Sequence, residues 1–380
     1  MRALVKARIL EDGGFTSGRA VLVDGTRIAA IVPEDDPRVA AAEAVDLDGA
    51  RLVPGFVDCQ VNGGGGVLFN DDPSVESIRA IGAAHRPFGT TAFLPTLISD
   101  DFSVIARAIR AVRDAIQAGV PGVVGIHIEG PFINELRKGA HDPTKIRDLD
   151  PRDVALLSSL QAGRTLVTLA PEMTTLATIR HLADEGVVIS AGHTNGTFAQ
   201  VSEALREGVT GVTHLFNAMS PFGHREPGAA GAALADPDCW CGIIVDGHHV
   251  HPAALRIALA CKGGRRFMLV TDAMPNVGTG MTSFVLQGRT ILVEDGRCVD
   301  EAGVLTGSAL DMAGAVRNAV SMLGLSLERA VEMASANPAQ FIGLGGELGR
   351  IAPGFRASLV ALDESLAVRE TWIDGERRRH

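Results

Sequence analysis

The sequence predicts an α/β protein: a (β/α)8 TIM-like barrel carrying a small β-sandwich module formed from both termini. Three observations predict it. Eight apolar, β-prone runs recur through the middle of the chain, at 52–60, 90–96, 123–130, 166–172, 187–194, 211–218, 241–247 and 267–273. Amphipathic stretches with apolar residues three and four apart separate most of them; DDFSVIARAIRAVRDAIQAG, TTLATIRHLADEG and FAQVSEALREG are examples. Eight such runs fit a closed parallel barrel better than an open sheet, and nearly every run ends in a residue able to do chemistry.

Before the first run, residues 1–50 hold short alternating stretches such as RAVLVDG and RIAAIV between Asp-Gly turns. They read as antiparallel strands. The closing stretch GRIAPGFRASLVALDESLAVRETWIDGE has the same texture. The expected organisation is therefore a β-module from 1–50 plus 348–380 and a barrel from 51–347.

Composition bounds the partners. Hydrophobic residues make up 46% of the 380, enough for a large core, and the formal net charge is −10. That charge argues against nucleic acid or an anionic membrane as the main partner, since both need a basic field; a small anionic substrate needs only a local cationic spot. The apolar runs are too short and too interrupted to span a membrane, and MRALVKARILEDGG has no continuous apolar stretch of the signal-peptide kind. Cys59, Cys239, Cys241, Cys261 and Cys298 are odd in number and scattered, with one C-x-C and no second pair. Buried free thiols in a reducing cytoplasm are the expected reading, ahead of a disulfide framework or a zinc ribbon.

The run ends supply Gln60 and Asn62, Thr96, Glu129, Glu172, His193, His214, Asp246 and Asp272. Polar groups are costly to bury, and the C-terminal rim of the strands is where such a barrel uses them. Glu129, His193 and His214 end the third, fifth and sixth runs. Alone, each is an ordinary satisfied strand-end residue; together, one carboxylate and two imidazoles form a frequent three-ligand set for a divalent metal, with a position left for water. His127 lies two residues before Glu129, on the same strand face, and reads as packing or support. Asp272 ends the eighth run, where a carboxylate can take a proton from the attacking water and return it to a leaving group; a turn-capping Asp is the bland alternative. His141, in a loop, has the chemistry to donate to a developing oxyanion, although the loop alone does not decide it. Arg225 suits bidentate capture of phosphate or carboxylate, yet a lone loop Arg is usually a solvated charge. DGHHVHP holds three histidines, a kind of cluster that sometimes binds metal, but the position of Asp246 and His249 at a strand end favours substrate contact.

The stretches LVPGFVDCQVNGGGGVLFN, GTTAFLPT, GIHIEGPFIN, RKGAHDP, SAGHT, THLFNAMSPF, REPG, VDGHHVHP, LVTDAM and LTGSAL resemble the N-acetylglucosamine-6-phosphate deacetylase family of the amidohydrolase superfamily. The resemblance covers about residues 50–360. It implies hydrolysis of a linear amide on a phosphosugar, with one divalent metal per subunit (zinc first; iron, cobalt or manganese as options) held by Glu129, His193 and His214. It implies Asp272 as acid/base and His141 as the group polarising the acetyl carbonyl. Asn217, Ala218 through its backbone, Arg225 and His249 would hold the sugar phosphate, with Ala140 and the Leu305, Thr306, Gly307 loop lining the sugar. It also implies a homodimer in which Arg225 reaches the neighbouring active site. The superfamily usually has D-x-H-x-H where this chain has Asp58, Gln60 and Asn62; neutral amides are poor ligands, so the resemblance is to a one-metal subgroup. The alternatives are a deacetylase for the galactosamine epimer or another N-acetylated phosphosugar, a cyclic-amide hydrolase, which the absence of a Lys at the fourth strand disfavours, and a non-catalytic barrel.

Overall fold

The computed structural model describes all 380 residues. Eight strands form one parallel sheet in chain order: β1 (Phe56–Val61), β2 (Thr90–Ile98), β3 (Gly125–Glu129), β4 (Arg164–Leu169), β5 (Val188–Ala191), β6 (Val209–Val212), β7 (Trp240–Ile243) and β8 (Phe267–Leu269). The barrel closes just past β8, where Val61 bridges Ala273 in parallel and the Asp272 N–H donates to the Gln60 carbonyl at 3.0 Å. Every residue of β1, β2 and β3 is buried, as expected of parallel strands covered on both faces. The helix Phe102–Gln117 shows the complementary pattern: Ile105, Ala108, Ile109, Val112 and Ala115 face inward at helical spacing. Side-chain caps fix several helix starts. Thr197 and Gln200 form a capping box, and Asp311 accepts from the Gly314 N–H.

The two chain ends build a pair of sheets. One orders Arg27–Pro33, Arg19–Asp24, Arg2–Val5 and Glu43–Asp46; the other orders Glu376–Arg379, Val368–Ile373, Leu359–Leu362, Arg51–Pro54, Arg8–Glu11 and Gly14–Thr16. Their shared core includes Leu4, Ile9, Val21, Leu52, Leu359 and Trp372. The predicted run 52–60 is thus split. Arg51–Pro54 belongs to this end module, and the barrel strand starts at Phe56. Gly55 makes the break possible, because a Cβ there would stand 2.0 Å from the Thr91 hydroxyl oxygen.

One layer has no counterpart in the sequence reading. Residues 283–308 form a four-stranded antiparallel sheet (Ser283–Leu286, Arg289–Glu294, Arg297–Asp300, Leu305–Ser308). Phe284, Leu286, Ile291 and Cys298 pack beneath it with Leu68, Ile98 and Met274. It hangs over the C-terminal end of the barrel and carries Leu305 and Gly307 to the site. No helix is long and apolar enough to cross a membrane.

Candidate active site

Glu129, His193 and His214 leave the ends of β3, β5 and β6 and converge. The Nε2 atoms of both histidines lie 3.1 Å from Glu129 Oε1 and 3.1 Å from each other. All three residues are buried. Burial raises the Glu129 carboxyl, and it stays well below the usual carboxylate range only where positive charge at the two imidazoles outweighs that burial. His193 Nδ1 lies 2.8 Å from the Arg137 carbonyl oxygen, which can only accept. The proton is therefore on Nδ1, and in the neutral ring the Nε2 lone pair points at the carboxylate. A lone pair against a carboxylate is repulsive without a cation between them, and this arrangement is the one metal-binding histidines adopt. The residues present fit a divalent cation.

Asp272 stands beside this set, its carboxyl pushed up to about 6 by burial and by the charge on Glu129. Its Oδ1 accepts from Asn62 Nδ2 at 2.7 Å and from Gln60 Nε2 at 3.1 Å. Gln60 Nε2 also lies 3.2 Å from both Glu129 oxygens. The two amides at the imidazole places of D-x-H-x-H thus turn donors toward two carboxylates. Asp58 is engaged elsewhere: it accepts from the Thr271 hydroxyl and from the N–H groups of Gln60 and Thr271, tying β1 to the end of β8.

His141 is buried, its ring centroid 4.4 Å from that of His193. The Ser99 backbone N–H donates to His141 Nδ1 at 3.2 Å, so in the neutral ring the proton sits on Nε2. Burial and the neighbouring His193 hold the ring well below the usual histidine range. It is a neutral donor, suited to a developing oxyanion.

Three of these residues hold strained backbones. His193, His214 and Asp272 have φ of +48°, +32° and +53°, and Ala218 has +47°. Left-handed conformations at non-glycine residues cost on the order of 1–3 kcal/mol each and gather where a site requires them. Here the sharp turn off each strand end aims the side chain across the barrel mouth.

The resulting pocket has a volume of about 460 Å³, in the range of small-molecule sites. Of the residues expected from sequence, Ala140, His141, Asn217, Ala218, His249, Leu305, Gly307, Asp272 and the three candidate ligands all line it. Thr306 and Asp246 do not. Thr306 is buried behind the loop, its hydroxyl on the Val304 carbonyl, and Asp246 sits behind His249 with Oδ2 2.6 Å from His249 Nδ1. Arg225 lies outside the pocket on an exposed loop. Glu172 follows β4 in a short 3-10 turn and is spent on Asn134, Thr194 and the Asn195 N–H. His127 bonds Thr96 and Thr168 inside the barrel. Sequence reasoning missed Ser99 and Arg137, which set the tautomers of His141 and His193, and the apolar liners Ile98, Ile244 and Met274. Position at the end of the second run was the available signal for Ile98 and Ser99. Arg137 acts through its carbonyl, which no side-chain pattern reveals.

A buried carboxylate and two imidazoles at the rim of a (β/α)8 barrel, next to a separate acid, define the class of barrel hydrolases that work with a metal. The chain belongs to the amidohydrolase family, whose model matches residues 51–378. It is 43% identical to an N-acetylgalactosamine-6-phosphate deacetylase of Shewanella sp. (strain ANA-3), over 97% of this chain and 94% of that protein. It is 34% identical to an N-acetylglucosamine-6-phosphate deacetylase of Haemophilus influenzae, over 94% of each chain. Among solved structures, the N-acetylglucosamine-6-phosphate deacetylase from Pasteurella multocida superposes with a TM-score of 0.96 at 36% identity, covering 100% of both chains.

Proposed function

We propose that this chain hydrolyses the acetamide of N-acetyl-D-glucosamine 6-phosphate, releasing acetate and D-glucosamine 6-phosphate. The observation that carries the reading is the placement of Asp272, a half-buried acid beside the Glu129, His193 and His214 group in a sugar-sized pocket.

Glu129, His193 and His214 would hold one divalent cation, zinc in our reading, which supplies Lewis acidity toward a carbonyl oxygen and a water. Asp272 takes the proton of the attacking water as its oxygen bonds to the acetyl carbon. His141 Nε2–H donates to the carbonyl oxygen as that atom gains charge. When the C–N bond breaks, Asp272 returns the proton to the leaving nitrogen, so one carboxylate serves as base and then acid. The Gln60 and Asn62 amides keep Asp272 Oδ1 occupied, leaving Oδ2 for the transfer. Asn217, the Ala218 backbone and His249 would hold the phosphosugar, with Ala140, Leu305 and Gly307 along its ring. Arg225, exposed and outside its own pocket, would complete the phosphate site of a second copy in a homodimer.

The greater identity to the galactosamine-named relative favours a second reading, the C4 epimer of the same substrate. An acetate-release assay on both 6-phosphosugars and on unphosphorylated N-acetylglucosamine tests the proposal, alongside metal analysis of protein purified without chelator. Turnover of the glucosamine epimer above the other two is expected. Equal turnover of the free sugar would remove the phosphate from the reading, and absence of acetate from all three would overturn it.

A further inference from the structure

We propose that Asp246 is a positioning residue acting through His249: it fixes the ring proton on Nδ1 and so decides which chemistry His249 offers the pocket. The inference rests on the reading above for what the pocket holds, but not for the state of the ring.

Both side chains are almost wholly enclosed, at 5% and 7% exposure for Asp246 and His249. Asp246 Oδ1 accepts from the N–H groups of His248 and His249, at 2.8 and 2.9 Å. Its Oδ2 faces His249 Nδ1 at 2.6 Å. Two of these three neighbours are backbone donors that cannot reverse, and a carboxylate so surrounded is an acceptor only. The hydrogen between Oδ2 and Nδ1 therefore comes from the ring. Asn318 Nδ2 donates to the Val245 carbonyl at 2.8 Å, anchoring this segment to the helix Met312–Leu323.

His249 lines the pocket while Asp246 does not, so the carboxylate reaches the substrate only through the imidazole. With Nδ1 committed, the ring offers Nε2 in two forms. The neutral ring presents a lone pair, which suits a sugar hydroxyl. The protonated ring presents a cationic N–H, which suits an anionic oxygen, with the Asp246 charge balancing it from behind. The excluded form is the neutral ring with its proton on Nε2. A partner on one ring nitrogen setting the character of the other is a general device of functional histidines.

Asp246→Asn is the informative substitution. The Asn oxygen can still accept from the two backbone N–H groups, which turns its NH₂ toward Nδ1 and forces the ring proton to Nε2. The experiment is ¹⁵N-histidine NMR of the free, metal-loaded protein at pH 8, with His249 assigned by its disappearance in His249→Asn. The neutral wild-type ring should carry its proton on Nδ1 and the Asp246→Asn ring on Nε2. In steady-state assays Asp246→Asn should lose on the order of 10–100-fold in kcat/KM with metal content unchanged. Asp246→Asn/His249→Asn should be no worse than His249→Asn alone, since the residues act as one unit. A wild-type ring protonated on Nε2 would overturn the proposal, and that measurement needs neither a variant nor turnover. Additive losses in the double variant, or metal lost in Asp246→Asn, would do so as well. If no phosphosugar is hydrolysed at all, the functional reading fails while the NMR result still decides the role of Asp246.

Discussion

At the scale of single residues, the strand ends made the candidate site legible. Glu129, His193, His214 and Asp272 are costly side chains placed where an apolar run stops, and the structure brings all four to one pocket. What sets the tautomers of His141 and His193 was not legible, because Ser99 lies 42 residues from His141 and Arg137 lies 56 from His193, and no periodicity links such pairs. Asp272→Asn keeps an oxygen for the Gln60 and Asn62 amides and tolerates the left-handed backbone at that position. It should fold and retain metal while kcat falls by about 10²–10⁴-fold, measured by acetate release on metal-quantified protein; near-normal turnover would refute the proton-transfer role. A second prediction concerns His85, buried, with Nε2 2.9 Å from the Gly63 carbonyl and its pKa lowered to about 4 by burial. The unfolded chain takes up a proton near pH 6.5 that the folded ring refuses until about pH 4, so stability present above pH 6.5 is lost as the pH falls across that window. The contribution is on the order of 3 kcal/mol. His85→Gln preserves a donor toward Gly63 and should flatten the fall in Tm between pH 6.5 and pH 4; an unchanged slope would count against it.

At the scale of elements, the eight parallel strands and their helices follow from apolar runs and helical spacing, and the structure has strands at all eight runs. The two departures have physical causes. Pro54-Gly55 is a breaker dipeptide inside the first run, and reading the run as one strand passed over it; the pairings place Arg51–Pro54 and Phe56–Val61 in different sheets. The antiparallel sheet of 283–308 carries ordinary hairpin signals, Gln287-Gly288 and Asp295-Gly296 between alternating residues. It contributes nothing to the eightfold count, which is why the barrel reading passes over it. Helix packing gives a third prediction. Ile109, at 1% exposure on the inner face of Phe102–Gln117, should cost about 2–5 kcal/mol when cut to Ala. Denaturant unfolding reads that loss, and turnover per folded molecule should stay unchanged because the side chain is remote from the pocket.

At the scale of the whole molecule, the cation seat draws on three strands and so joins parts of the chain far apart in sequence. A metal present at a hundred times its Kd adds about 2.7 kcal/mol to folding stability. Chelator treatment should therefore lower Tm and abolish acetate release together, with both restored on adding zinc; a Tm indifferent to metal would show that the three side chains do not hold one. The seam between β1 and β8 has a further consequence. All three candidate ligands have been synthesised by residue 214, whereas Asp272 comes 58 residues later, next to the Ala273 bridge to Val61 that closes the barrel. On the proposed roles, a growing polypeptide would contain every ligand before it owns the group assigned to move the proton. A product ending in that interval would also lack the seam that closes the barrel, and it should release no acetate.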